Sequence, residues 1–287
     1  ELDEGKVIIV AGFQGITEEG EITTLGRGGS DTTAVAVAAA TNADLCEIYT
    51  DVDGVYTADP RMVQNTSKLA MITHDEMLEL ASLGAKVLHP RSVEIAKIHD
   101  VRLCVRSSFD TTKEGTFVVS REQLEKEFVV TGLACDQKVA KVGIFDLEDK
   151  PGSATKVFQA LANANVNVDM IVQSAMRNDL NDIAFTVPKD EVETALEVLE
   201  ALKSELSMSE VVYSTDVAKV SIVGAGMITS PGVAAKMFSV LADNGINIEM
   251  ISTSEIKVSC IIDKSNDIPK KAMQALHDAF ELDKING

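Results

Sequence analysis

The chain has 287 residues, more than one hydrophobic core usually holds, so two or three domains are expected. Hydrophobic residues make up 45% and charged residues 25%, the balance of a globular protein rather than a disordered one. Lys+Arg 26 against Asp+Glu 45 leaves −19, a field that repels phosphate backbones and anionic lipid, so neither nucleic acid nor a membrane is an expected partner. No apolar run is long enough to span a bilayer and nothing at the start reads as a signal peptide, so a cytoplasmic location is expected. Cys46, Cys104, Cys135 and Cys260 stand far apart in strand-like stretches without C-x-x-C spacing, and are read as reduced, buried thiols. The histidines show no metal-ligand spacing, so no bound metal is expected.

In chain order, Lys6–Ala11 reads as a buried strand beginning almost at the first residue. Leu45–Thr50 reads as a short inner strand. Thr73-His74-Asp75-Glu76 reads as a capping box, opening a helix through Met77, Leu80 and Ala81 that stops near Gly84. Pro90 suits the first position of the next helix, and Val101–Val105 alternates like a strand. Strands interleaved with helices predict an α/β layer fold with a largely parallel sheet. Arg121–Glu127 reads as a linker or a short solvated helix, and Phe128–Cys135 as a strand without an assigned partner.

Beyond it the chain repeats itself. Val139-Ala140-Lys141-Val142 recurs as Val217-Ala218-Lys219-Val220, and Pro151-Gly152 as Pro231-Gly232. Asn167-Val168-Asp169-Met170-Ile171 recurs as Asn247-Ile248-Glu249-Met250-Ile251. Ala154, Val157, Phe158 and Leu161 fall at i, i+3, i+4, i+7, as do Val192, Ala195, Leu196 and Leu199, so each helix offers one apolar stripe to a sheet. Each unit reads as a βαββαβ sandwich of the ferredoxin-like kind. The first closes with Glu210–Tyr213, whereas the second ends after the helix around Ala272, Leu276 and Phe280 and lacks its last strand. The strand at 128–135 is expected to fill that gap, with the first unit inserted into the second.

Three motifs carry chemistry. Thr24-Leu25-Gly26-Arg27-Gly28-Gly29-Ser30-Asp31 is a glycine loop running into the all-apolar Ala34–Ala40, expected as a buried helix capped by Ser30 or Asp31. Its free N–H groups and dipole suit an anion, and Arg27 adds a fork for carboxylate or phosphate. Thr50-Asp51-Val52-Asp53-Gly54-Val55-Tyr56, continuing to Asp59-Pro60-Arg61, follows a strand where α/β sheets bind ligands and suits a nucleotide with its Mg²⁺. Gly84-Ala85-Lys86-Val87-Leu88-His89-Pro90 sets a lone lysine beside a helix start, where it can neutralise phosphate.

These motifs, with Gly12-Phe13-Gln14-Gly15, occur in the order and spacing of the aspartokinases, a branch of the amino acid kinase family, and the repeats resemble the paired ACT modules that follow their catalytic domain. The resemblance implies the carboxyl-terminal half of an amino-acid-kinase-type domain over 1–120. A linker with a donated strand follows at 121–137, then a first ACT domain over 138–214 and a second over 215–287. The Lys-x-Gly-Gly strand and the substrate-contacting Glu with which aspartokinases begin have no counterpart here, so this polypeptide is expected to turn over poorly or not at all. The implied reaction moves the ATP γ-phosphoryl group to the side-chain carboxylate of L-aspartate, with Mg²⁺ accompanying ATP. By the same resemblance Phe13, Arg27, Ser30 and Asp31 belong to the aspartate pocket. Thr50, Asp51, Tyr56, Arg61 and Lys86 lie around the nucleotide, with Asp31 and Lys86 as the catalytic pair.

The loop Asp149-Lys150-Pro151-Gly152-Ser153-Ala154 enters a helix N-terminus whose N–H groups can take an amino acid's carboxylate while Asp149 takes its ammonium group. Gln173 adds a polar contact, and the resemblance adds Asn247 and Ile248 from across a subunit or repeat interface. Lysine, threonine or both are the implied effectors, with Asp149, Pro151, Gly152, Ala154, Gln173, Asn247 and Ile248 around one of them. A homo- or hetero-oligomer joined through ACT domains is implied as well. The competing reading is a non-catalytic regulatory subunit whose ACT pair binds amino acids.

Overall fold

The computed structural model describes residues 2–85, 87–124, 128–174 and 179–285, which fall into two units. The first unit comprises Glu1–Gly132, Val223–Met227 and Phe280–Gly287. Residues 6–11, expected as a buried strand, pair with no strand among the described residues, and Val7 and Ile9 are 94% and 96% exposed. β-branched residues favour an extended backbone, but a strand also needs a partner for its N–H and C=O groups. A hairpin follows, Gln14–Ile16 (β1) against Ile22–Thr24 (β2), and then helix Gly29–Thr41 (α1). Thr32, Val35 and Ala38 are buried, but Val37 is 37% exposed, so α1 is covered on one face rather than all round.

Cys46–Thr50 (β3), Met71–Thr73 (β4), His74–Ser82 (α2), Pro90–Ile98 (α3), Leu103–Ser107 (β5) and Thr116–Val119 (β6) complete this layer. The sheet order is β3-β5-β6-β4; β3 runs parallel to β5 and β4 to β6, while β5 and β6 are antiparallel. The sheet is therefore mixed rather than largely parallel. Residues 108–115 are too few for the crossover that a parallel β5–β6 pair would require. The capping box forms as expected: Glu76 N donates to Thr73 Oγ1 (3.2 Å) and Thr73 N to Glu76 Oε2 (3.1 Å). Pro90 takes the first position of α3, capped by His89. Ile72, Met77, Leu80, Val93, Leu103 and Val118 form the buried interior. Of the stretch 121–127, Arg121–Gln123 is a single 3-10 turn, and 125–127 lie outside the described residues.

The second unit, Leu133–Ile222 and Ile228–Ala279, holds the two repeats. The first consists of Val139–Glu148 (β8), Ser153–Asn163 (α4), Ile171–Gln173 (β9), Leu180–Pro188 (β10), Val192–Leu202 (α5) and Glu210–Ser214 (β11), preceded by Gly132–Asp136 (β7). The second consists of Val217–Val223 (β12), Val233–Asp243 (α6), Met250–Thr253 (β13), Lys257–Asp263 (β14) and Ile268–Ala279 (α7). Their sheets have the orders β11-β8-β10-β9 and β13-β14-β12-β7. Thus β7 lies beside β12 as β11 lies beside β8, and the strand ahead of the first repeat completes the sheet of the second. This strand begins at Gly132, later than the expected Phe128. Val157 and Leu161 of α4 and Ala195 and Leu199 of α5 press on Ile144 and Phe185, with Phe158 edge-on to Phe185 at 5.6 Å.

The repeats also grip each other. Lys141 of β8 pairs with Glu249 of the second repeat, and Lys219 of β12 pairs with Asp169 of the first. Val139, Val217, Met170 and Met250 share one cluster with Ile261. All four cysteines are free, three of them buried, and burial pushes the Cys260 thiol up to about 12. No helix of the described residues is long and apolar enough to cross a membrane.

Candidate active site and effector loops

The glycine loop reaches α1 through backbone rather than side-chain capping. Gly28, at φ 73°, is the N-cap and makes no side-chain cap bond. The loop is held by Thr32 Oγ1 donating to Gly28 O (2.9 Å) and Thr33 Oγ1 to Gly29 O (2.8 Å). Ser30 and Asp31 therefore lie inside the first turn and do not cap the helix, contrary to expectation. The turn is thus closed by the Thr32 and Thr33 hydroxyls together with Gly29 N donating to Gly26 O (3.0 Å), not by the side chains of Ser30 or Asp31. Asp31 is half-buried, and its carboxylate has no hydrogen-bond partner among the described residues. Arg27 stands exposed between Gly26 and Gly28, both at positive φ.

Phe13 approaches the same turn. Its backbone N donates to Thr33 Oγ1 (3.2 Å), and its ring lies where a Cβ on Gly29 would come within 3.1 Å. His89 closes the other side: a Cβ on Gly28 would lie 2.2 Å from its ring. Arg91 Nη1 donates to Leu25 O (3.1 Å), so α3 braces the loop twice. Phe13, Gly28, Ser30 and Asp31 are thereby grouped at one helix N-terminus, a place that favours anions.

The second group lies beyond the carboxyl ends of β3 and β5. Thr50 Oγ1 donates to Asp51 Oδ1 (3.1 Å), and Thr50 O accepts from Ser108 N (2.8 Å) and Ser108 Oγ (2.9 Å), which ties the two strand ends together. Tyr56 OH donates to Asp53 Oδ1 (2.8 Å). Lys113 and Lys68 approach Asp53 Oδ2 at 3.2 and 4.0 Å. Arg61 forms a fork on Asp59, with Nη2 at 2.7 Å from Oδ2. Sequence reading missed Lys68 and Lys113, which lie outside any glycine or Asp-x-Asp motif. The usable signal was that residues 108–115 directly follow a strand whose end faces the same edge. Lys86 falls outside the described residues.

Burial pushes the Tyr56 hydroxyl up to about 12, helped by its hydrogen bond to Asp53. Burial also works to raise Asp53, but the bonds from Tyr56 and Lys113 and the charges of Lys68 and Lys113 outweigh it and hold the carboxyl below its ordinary value. A depressed carboxyl contributes stability above its unfolded value of about 3.9, and that contribution is lost as pH falls through the native value. Asp53→Asn is accordingly expected to cost on the order of 1 kcal/mol near neutrality, with the gap from the parent narrowing as pH falls below the ordinary carboxylate range. Urea unfolding of both proteins at pH 7 and pH 2.5 measures this; an equal gap at both values would contradict it.

In the second unit, the loop after β8 enters α4 through Gly152 at φ 99°, and Asp149 N donates to Asp179 O (2.9 Å). Asp149, Pro151, Gly152 and Ala154 are exposed, as is Gln173 on edge strand β9. Asn247 is exposed and Ile248 half-buried, next to Glu249, whose carboxylate meets Lys141 near the start of β8. Asp149 follows the end of that strand, eight residues beyond Lys141 across Val142–Glu148, roughly 25 Å of extended chain. Within one chain, the Asp149 loop and Asn247 thus lie toward opposite ends of β8.

Residues 1–107 match the model of the amino acid kinase family, and residues 146–202 and 220–280 match an ACT domain. An aspartokinase from Bacillus sp. (strain MGA3) is 53% identical over 282 residues, covering 98% of this chain and 68% of that protein. The crystal structure of aspartate kinase from Clostridium acetobutylicum superposes with a TM-score of 0.83 at 28% identity, over 94% of this chain and 62% of its own. E. coli aspartokinase III, solved in complex with aspartate and ADP, superposes with a TM-score of 0.78 at 31% identity, over 93% of this chain and 59% of its own. A second complex of that enzyme holds lysine and aspartate. Half identity across nearly the whole chain, in a fold with a kinase-type layer and two interlocked ACT repeats, makes this chain a member of the aspartokinase family.

Proposed function

We propose that these 287 residues supply the nucleotide-facing half of an aspartate kinase together with its amino-acid-sensing region. The observation that carries the reading is the α1 turn closed by Thr32, Thr33 and backbone, which leaves Arg27 and Asp31 without hydrogen-bond partners among the described residues, beside Phe13. Arg27 clamps a carboxylate of L-aspartate, Phe13 and Ser30 bound its pocket, and Asp31 orients a lysine that neutralises the transferring phosphate. Thr50, Asp51, Tyr56, Arg61 and Lys86 surround ATP, which brings its Mg²⁺ as part of the co-substrate. Aspartate and ATP are both anions, so the residues act mainly by positioning and charge neutralisation.

Lysine, threonine or both bind at the Asp149–Ala154 loop with Gln173. Because Asn247 and Ile248 lie toward the far end of β8 within the chain, they complete such a site from a second copy or a related subunit. The assembly is then an oligomer joined through its ACT domains.

The test has two parts. The chain joined to a Lys-x-Gly-Gly-bearing amino-terminal segment is assayed for ATP-dependent phosphorylation of aspartate, with the 287 residues alone as the poorly active comparison. Calorimetry of the 287 residues with lysine and threonine is expected to show binding of at least one at or below millimolar concentration, lost in Asp149→Ala. Effector binding without turnover from the joined chain would favour the regulatory-subunit reading. Absence of both would remove the proposal.

A further inference from the structure

Glu76 is a helix-capping acid that is spent on more than its helix. It is 2% exposed, and its carboxylate accepts four hydrogen bonds. Oε2 takes Thr73 N (3.1 Å) and Thr73 Oγ1 (2.8 Å), the local capping pair. Oε1 takes Thr131 Oγ1 (2.6 Å) and Ala225 N (2.9 Å), from segments 55 and 149 residues away in sequence. A surface capping box needs neither a buried carboxylate nor distant donors.

The distant donors belong to one junction. Thr131 N donates to Val223 O (2.7 Å) and Gly226 N to Phe128 O (3.1 Å). A Cβ on Gly224 would lie 2.3 Å from Val129 O, so residues 128–131 and 223–226 run backbone against backbone. Ala225 opens the 3-10 turn Ala225–Thr229, which joins β12 to α6. In the first repeat the equivalent connection, from β8 to α4, is the proposed effector loop.

From Glu76 the contacts continue toward the glycine loop. Helix α2 is closed by Ala85 N donating to Leu80 O (2.9 Å), and it packs on α3, which packs on α1. His89, the cap of α3, lies against Gly28. Residues 223–227, Glu76, α2, α3 and the α1 turn are thus one contiguous series of contacts within the first unit.

We propose that Glu76 is a positioning residue that couples the second repeat's β12–α6 connection to helix α2, and through α3 to the Arg27–Asp31 turn. The first repeat then holds the effector, and the second transmits its state. Transmission rests on the effector reading above, but the coupling between loop and helix can be measured without any ligand. A contact network becomes a coupling route only when perturbing one end moves the other.

The experiment is amide hydrogen exchange of the 287-residue chain over 77–85 and 223–229, for the parent, Glu76→Gln, Thr131→Val and Thr131→Ser. Gln turns one acceptor of the carboxylate into a donor facing donors, whereas Val removes a single hydroxyl at nearly constant volume. Without ligand, Glu76→Gln and Thr131→Val are expected to speed exchange at least fivefold in both segments together, and Thr131→Ser to restore parental rates. Acceleration confined to either segment would overturn the proposal, since Glu76 would then serve only its own helix or only the loop. With saturating threonine or lysine, the parent is expected to change protection in both segments. Thr131→Val, binding the effector within twofold of the parent, is expected to change it in 223–229 alone. An equal response at 77–85 in Thr131→Val would also overturn the proposal. If neither amino acid binds the parent, the effector reading fails and the ligand-free comparison still decides the coupling.

Discussion

Asp31→Asn in the joined enzyme is expected to lower turnover on the order of a hundred- to a thousandfold while leaving stability nearly unchanged. The separation of the two effects follows from the turn itself. Gly28 is the N-cap, and the turn is closed by Thr32, Thr33 and backbone, so Asp31 contributes no cap bond that Asn could weaken. What Asn loses locally is a charge in the first turn of a helix, about 0.3–1 kcal/mol. In the proposed site it loses the charge that orients a phosphate-neutralising lysine. Steady-state kinetics beside thermal unfolding tests this. Unchanged turnover would leave Asp31 as a favourable helix charge and nothing more.

Gly28→Ala is expected to damage both properties at once. A residue with a Cβ at φ 73° costs about 1–2 kcal/mol before any contact is counted. Here the new Cβ would also lie 2.2 Å from the His89 ring and 2.4 Å from His89 Cβ, close to the backbone of α3 rather than at the end of a flexible side chain. Either the turn or the start of α3 must move, for a total of about 3 kcal/mol or more. Because displacing reacting groups by about 1 Å can cost a hundredfold, turnover is expected to fall at least that far in whatever fraction stays folded. His89→Gly, which removes both the ring and the Cβ, is expected to recover part of the stability in the double variant. Independent, additive losses from the two substitutions would show that the overlap is not the cause.

The repeats were legible because the helix stripes and the Asn-x-acid-Met-Ile segment survive in both copies, and the capping box because its donors and acceptors are neighbours in sequence. Lys6–Ala11 was misjudged for the opposite reason: a strand's partner is never written in its own residues. The cap of α1 was misassigned because Ser30 and Asp31 have good capping chemistry, yet the glycine at position 28 turned the chain two residues before Ser30 and three before Asp31. Asp53 was visible as half of an Asp-x-Asp motif, but its two lysines come from positions 15 and 60 residues downstream, which only the fold brings together. Glu76 could be read as a cap from four consecutive letters. Its second oxygen could not, because Thr131 and Ala225 reach it through tertiary packing.

The crossed pairs Lys141–Glu249 and Lys219–Asp169 have a bearing on descent. Each repeat carries a lysine on its first strand and an acid ahead of its second, and each uses them on its neighbour. A single such module would be self-complementary: two identical copies, related by a two-fold axis, would make the same two bridges. The tandem is thus a symmetric dimer written into one polypeptide, in which covalent linkage removed the need for both halves to stay alike. Divergence could then begin without losing the lock. One copy was free to keep an acid, Asp149, ahead of its Pro-Gly turn, while the other holds Thr229 at the matching position.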